Sequence, residues 1–232
     1  MADITQGADG SFMEKYLTPI AVIVGALIIA GAFAFGGAGG GTQNPAALPA
    51  QEVNIADVKA DTSPSIGSAD APVTMAVWFD YTCPHCINYE NTTLTELSKT
   101  YVANGQLRIV YKDFQFRGPA STDTALYSRA VWEAAPEKWG EWVKTVFANE
   151  AAIGDNTALD GITSGLGIDV ATVDGLLASN KAAYTAAIEA DKAEGMSFGI
   201  NGTPGTIIGT TFLGGSQPLA SISAAIDAEL AK

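Results

Sequence analysis

Apolar and polar positions along this chain follow several distinct rhythms, and each rhythm predicts a different element. The first is unbroken: Leu17 to Phe35 (LTPIAVIVGALIIAGAFAF) holds 19 residues without a charge. At a rise of about 1.5 Å per residue, that is close to the thickness of a hydrocarbon core. The run predicts one N-terminal transmembrane helix at 17–35, after a tail at 1–16. A cleaved signal peptide is the competing reading, with Lys15 as its basic region and Ala32-Phe33-Ala34 as its small-x-small site. Length favours the anchor. Lys15 is the only Lys or Arg before the span and none follows until Lys59, which places the N-terminus inside and the remainder outside. Residues 36–57 open with an uncharged Gly-, Ala- and Pro-rich stretch (GGAGGGTQNPAALPA) and predict a flexible linker.

From residue 58 the rhythm is that of a folded α/β domain. Val73 to Phe79 (VTMAVWF) is a continuous apolar, partly β-branched run after the turn-like Gly67 to Pro72, and predicts a buried strand. Beyond Cys86 the period lengthens. Ile87, Leu94, Leu97 and Tyr101 share one helical face, and Asn104-Gly105 is a stop signal. Leu107 to Phe114 (LRIVYKDF) predicts a second strand, so that strand, helix and strand form a right-handed crossover with a parallel pair. A helical stretch of about eighty residues follows, punctuated at Pro136, Gly154-Asp155-Asn156 and Gly165 to Asp169; it predicts a helical insertion at about 118–198. Asn201 to Ile208 and Phe212 to Gly215 predict a hairpin. Leu219 to Leu230, with Ile222, Ala225, Ile226 and Leu230 on one stripe, predicts a closing amphipathic helix. Trp132, Trp139, Trp142 and Phe147 read as helical core.

Composition narrows the chemistry. A net charge of −13 repels phosphate backbones and argues against nucleic acid as a partner. The chain has two cysteines and one histidine, all in the tetrad Cys83-Pro84-His85-Cys86. A closed zinc site wants four ligands and these three are nearly consecutive, so no metal is expected. Covalent haem attachment needs His directly after the second cysteine, where Ile87 stands. A pair of inert buried thiols would not explain Pro and His between them.

Thiol–disulfide exchange does explain them. At a strand-to-helix junction the first cysteine meets the unpaired N–H groups and dipole of a helix N-terminus, which stabilise a thiolate. Cys83 is the expected nucleophile, at an exposed helix end. Cys86, one turn further in and shielded, is the expected resolving thiol. Pro84 suits the first helical position, and His85 adds a donor or a positive charge beside the thiolate. The Cys83–Cys86 disulfide would be the only redox group, with no separate cofactor.

These residues resemble the DsbA family of thioredoxin-fold proteins, and more broadly the anchored DsbA-like oxidoreductases of bacteria. The likeness lies in Gly67 to Cys86 (GSADAPVTMAVWFDYTCPHC), the helical middle and Gly195 to Ile208 (GMSFGINGTPGTII), and covers roughly 58–232. It implies a thioredoxin fold with a helical domain inserted between its two halves. It also implies a cis Pro204, preceded by Thr203, facing the active-site pair and docking substrate backbone; local chemistry alone reads Thr203-Pro204-Gly205 equally well as a surface turn. Two departures from the family pattern bear on the substrate groove: Gly205, where relatives often carry a larger residue, and the proline break in Glu133 to Gly140 (EAAPEKWG). The function so implied is oxidation of reduced or unfolded exported proteins at the outer side of the cell membrane, with reoxidation by a membrane quinone-linked thiol oxidase. A reductase on the same site, or a tethered peptide-binding or chaperone module, are the alternatives.

Overall fold

The computed structural model describes residues 53–232, so the expected tail, the anchor at 17–35 and most of the linker lie outside the described residues. Among the described residues no helix is long and apolar enough to cross a membrane. The linker expectation runs to residue 57, but the structure ends it earlier. Val53 is buried, Asn54 caps a short turn at Ile55–Asp57, and the Ile55 N–H donates to the Gly209 carbonyl at 2.7 Å. The reason is apolar: Val53 and Val58 join the cluster that covers one face of the sheet.

Five strands form one sheet: β1 (Ser65–Ile66), β2 (Val73–Phe79), β3 (Leu107–Asp113), β4 (Gly205–Ile208) and β5 (Thr211–Gly214), in the order β1-β3-β2-β4-β5. β2 and β3 are parallel, paired from Val73↔Leu107 to Phe79↔Asp113, and the other pairs are antiparallel. Strand alternation divides the core in two. Val73, Met75, Val77 and Phe79 of β2 and Leu107, Ile109 and Tyr111 of β3 enter the larger cluster with the helices. Ala76, Trp78 and Val110 face the smaller one with Val53, Phe114, Ile200 and Ile207. A strand buried on both faces needs a continuous apolar run, which is what the sequence supplies.

Between β2 and β3 runs a helical segment, α1, which is α-helical at Pro84–Tyr89 and Thr95–Leu97 and wider, π-helical, at Glu90–Leu94 and Ser98–Val102. Four helices fill the expected insertion: α2 (Pro119–Ala134), α3 (Pro136–Ala148), α4 (Asn156–Gly165) and α5 (Val170–Ser197). α6 (Leu219–Leu230) closes the chain. Pro119 and Pro136 sit at the starts of α2 and α3, where a missing N–H costs nothing, and Asp155 and Asp169 cap α4 and α5. The proline break at Glu133 to Gly140 is thus a helix-to-helix corner. Trp139, Trp142 and Phe147 are core, whereas Trp132 is half-buried beside a groove between α2 and α5.

α2 and α5 are tied to β3 by a buried charge network. Lys112 pairs with Asp191 and, at 2.9 Å, with Glu194; Arg129 pairs with Asp113 at 2.7 Å and Asp191 at 2.6 Å. The Ser63 hydroxyl and the Lys59 carbonyl also accept from the Lys112 ammonium, each at 3.0 Å, so four acceptors share its three protons. Every charge here has an opposite partner, the first condition under which buried ions are tolerated.

Candidate active site

The site is built on the loop that leaves β2. Asp80, fully buried, accepts through one carboxylate oxygen from the Thr82 N–H and hydroxyl, both at 2.8 Å, and through the other from the N–H groups of Phe116 and Arg117 at 2.9 and 3.1 Å. One side chain thereby fixes the active-site loop against the turn after β3. The Asp80 carbonyl then accepts from the Cys83 N–H at 3.1 Å, and the chain turns into α1 with Cys83 as its N-cap and Pro84 as its first residue.

Cys83 and Cys86 are free thiols, and both are buried, at 4% and 3% exposure. The expectation of an exposed first cysteine does not hold. The 203–204 loop lies against Cys83, whose sulfur stands 3.5 Å from the Thr203 carbonyl oxygen. Surface exposure does not distinguish the two sulfurs, but the balance of burial and hydrogen bonding does. Cys83 is lowered to about 5, chiefly by the hydrogen bond from the Cys86 thiol, against the opposing effect of burial. The Thr203 hydroxyl and the backbone N–H groups of Cys86 and His85 add to the lowering. The Cys86 thiol is pushed far above the usual thiol range, first by burial and then by the Cys83 sulfur it bonds. One sulfur is a thiolate at neutral pH, and the other keeps its proton.

The remaining expected residues take different positions. Pro84 and His85 are exposed at the helix start. The imidazole of His85 makes no hydrogen bond among the described residues; the backbone N–H of His85 is what lowers Cys83. The Thr203–Pro204 peptide bond is cis, and Pro204 lines a small space with Cys86. The Thr203 hydroxyl oxygen is buried without another hydrogen-bond partner, which leaves it available to the Cys83 sulfur. Gly205 has a steric reason: a Cβ there would stand 2.9 Å from the Ile200 side chain, so Ile200 occupies the room a larger residue would need.

One residue of the site went unread in the sequence. Glu90 is 3% exposed and stands one helical turn beyond Cys86 on the same face, at the start of the first π-helical stretch. Glu90, Cys86, Tyr89, Tyr111 and Pro204 line one cavity of about 10 Å³, room for about one water. The Tyr111 hydroxyl donates to its carboxylate at 3.1 Å. Burial raises Glu90 to about 7, opposed by Tyr111 and by the charge of Lys144. The signal was present: Glu90 falls on the apolar stripe of Ile87, Leu94 and Leu97, where a carboxyl must be buried. Among the described residues, no cluster of His, Cys, Asp and Glu could hold a metal ion.

The family model for thioredoxin matches residues 59–228. Disulfide bond formation protein D of Bacillus subtilis (strain 168) is 28% identical over 108 residues, covering 47% of each chain. The chain therefore spans about half the length of that curated relative. Two solved structures share the fold: the thiol-disulfide exchange protein alpha-DsbA2 of Wolbachia pipientis, and BdbD of Bacillus subtilis in its oxidised form. The first has a TM-score of 0.65 at 24% identity and covers 72% of this chain and 87% of its own. The second has a TM-score of 0.65 at 22% identity and covers 74% and 94%. On this family match, over most of its length, the chain belongs to the thioredoxin family.

Proposed function

We propose that the chain is a thiol-disulfide oxidoreductase working as an oxidase on exported proteins. The observation that carries this reading is the split between the two sulfurs, Cys83 lowered to about 5 and Cys86 raised. In the oxidised enzyme a substrate thiolate attacks the Cys83 sulfur. The Cys83–Cys86 bond breaks as the substrate–Cys83 bond forms, and Cys86 leaves with the electron pair and takes up a proton. Glu90, protonated in a good share of molecules near neutrality, is the acid that supplies it. The substrate's second thiolate then attacks the substrate sulfur of the mixed disulfide and expels Cys83. A low-pKa sulfur is a good leaving group, so release is fast, and the reduced enzyme is stabilised as its Cys83 thiolate. The disulfide leaves with the substrate, and the enzyme carries two electrons.

Thr203 and Pro204, beside the sulfurs, are the residues that dock substrate backbone, and no cofactor beyond the Cys83–Cys86 pair is needed. The apolar run at 17–35 anchors the domain at the outer side of the membrane, where a quinone-linked thiol oxidase reoxidises it. The test is the reduction potential of the pair, measured by equilibrating the full chain with glutathione. The expected value is well above the about −270 mV of a reducing thioredoxin. A value near −270 mV would overturn the oxidase direction. Disulfide formation in a reduced test protein that survived Cys83→Ser would overturn exchange itself, and leave a peptide-binding module.

A further inference from the structure

Gln115 stands two residues beyond the end of β3 and is 5% exposed. Glutamine is seldom buried, and when it is the amide needs partners; here all four of its hydrogen-bonding positions are taken. The side-chain nitrogen donates to the Asp113 carboxylate at 3.0 Å and to the Phe79 carbonyl at 3.4 Å. The side-chain oxygen accepts from the Tyr81 N–H at 3.3 Å and from the Ser121 hydroxyl. Both partners of the nitrogen are acceptors only, and a backbone N–H faces the oxygen, so the amide fits in one orientation. The main chain is held as well, since the Lys192 ammonium of α5 donates to the Gln115 carbonyl at 3.1 Å.

One side chain thus joins the ends of β2 and β3 and the start of α2 to the turn that delivers the nucleophilic cysteine. That turn, Asp80 to Cys83, is closed by the Cys83 N–H on the Asp80 carbonyl at 3.1 Å, and the Asp80 carboxylate holds Thr82. Tyr81 is gripped twice. Its fully buried ring stacks on Phe147 with centroids 5.3 Å apart, and its N–H is bonded to Gln115. The other partners of the amide have company: the Phe79 carbonyl also accepts from the Phe114 N–H at 2.9 Å, and Arg129 donates to the second oxygen of Asp113 at 2.8 Å. What Gln115 adds is its hold on the turn. Two residues past Tyr81, the Cys83 sulfur meets the Cys86 thiol, the Thr203 hydroxyl and the first N–H groups of α1. Hydrogen bonds weaken steeply as geometry slips, so the turn that places the sulfur decides how well they are made.

We propose that Gln115 is a positioning residue for thiol–disulfide exchange: by holding the Tyr81 N–H it fixes the 80–83 turn, and with it the Cys83 sulfur among its hydrogen-bond donors. This role rests on the exchange reading and deepens it.

The test compares Gln115→Met, which keeps the volume and removes all four side-chain hydrogen bonds, with Ser121→Ala and Arg129→Met in the full chain. Alkylation of Cys83 by iodoacetamide is followed against pH, and the cysteine pair is equilibrated with glutathione at pH 7. Gln115→Met should raise the alkylation midpoint by about one pH unit and shift the glutathione equilibrium about tenfold toward the enzyme disulfide, about 30 mV. Gln115→Asn, one methylene shorter, cannot span Tyr81 and Asp113 together and should move both readouts the same way. Ser121→Ala spares the Tyr81 bond and should move neither. Arg129→Met, although more destabilising, should also move neither, because Arg129 bonds Asp113 Oδ2 and Gln115 bonds Oδ1. The unmodified chain supplies a readout that no folding failure can remove: its Tyr81 amide should exchange hydrogen about a hundredfold slower than in a free peptide. Unprotected exchange at Tyr81, readouts unmoved in a folded Gln115 variant, or an equal shift in Arg129→Met would overturn the positioning role alone. An unmodified cysteine pair that does not exchange with glutathione would overturn the exchange reading, and the positioning role with it.

Discussion

Tyr111 and Lys112 are neighbours on β3 and point to opposite faces of the sheet, and so lead into two buried polar regions of opposite character. Around Lys112, the cations of Lys112 and Arg129 meet the carboxylates of Asp113, Asp191 and Glu194 directly. Around Tyr111, a single carboxyl, Glu90, has one hydroxyl donor and shares a cavity with a thiol. The two regions lie on opposite faces of the same sheet, and both are buried. The first is satisfied within itself and has only structure to offer. The second holds one carboxyl, Glu90, that burial raises to about 7, and a group balanced there is what acid–base chemistry at neutral pH requires.

The contrast can be broken most severely at the charge network. Arg129→Met leaves Asp113 and Asp191 buried and short of a cation, and should destabilise the fold by about 3–5 kcal/mol in urea unfolding. Cys83 reactivity per folded molecule should persist; a variant that kept its stability but lost reactivity would invert the assignment of the two regions.

Glu90→Gln should have a smaller effect, visible as pH dependence. The folded pKa of about 7 lies above the ordinary 4.5, so the stability linked to the protonated form is fully present below pH 4.5 and is lost as pH rises through 7. That loss amounts to about 3 kcal/mol by pH 8 and should vanish in the variant. Resolution of mixed disulfides by Cys86 should also lose its pH profile near 7. Unfolding curves with the same pH slope in both proteins would remove Glu90 from the site. The smallest effect is expected at Thr203→Val, which removes one donor from Cys83. The midpoint of alkylation rate against pH should move upward, less than it does when Cys86 is replaced, because the Cys86 thiol is the larger influence. A downward shift would contradict the assigned hydrogen bond.

Much of this was legible in the sequence where local rules and burial agree. The run VTMAVWF is β2 to the residue, and α6 occupies the predicted 219–230. What was hidden depends on contacts far apart in the chain. Lys112 and Asp113 at the end of an apolar strand hint at buried charge, but their partners Asp191 and Arg129 come from α5 and α2. Cys83 reads as exposed until the 203–204 loop covers it, 120 residues later. Glu90 could have been found from helical spacing alone, since its stripe is otherwise apolar; its cavity with Pro204 could not.

The central claim, that Cys83 is a thiolate at neutral pH because Cys86 keeps its proton, is tested most directly by following the thiolate ultraviolet absorbance of the reduced full chain against pH. A single ionisation near pH 5 that disappears in Cys83→Ser is the predicted result. A midpoint in the ordinary thiol range near 9, or an ionisation near 5 that survives Cys83→Ser, would contradict it.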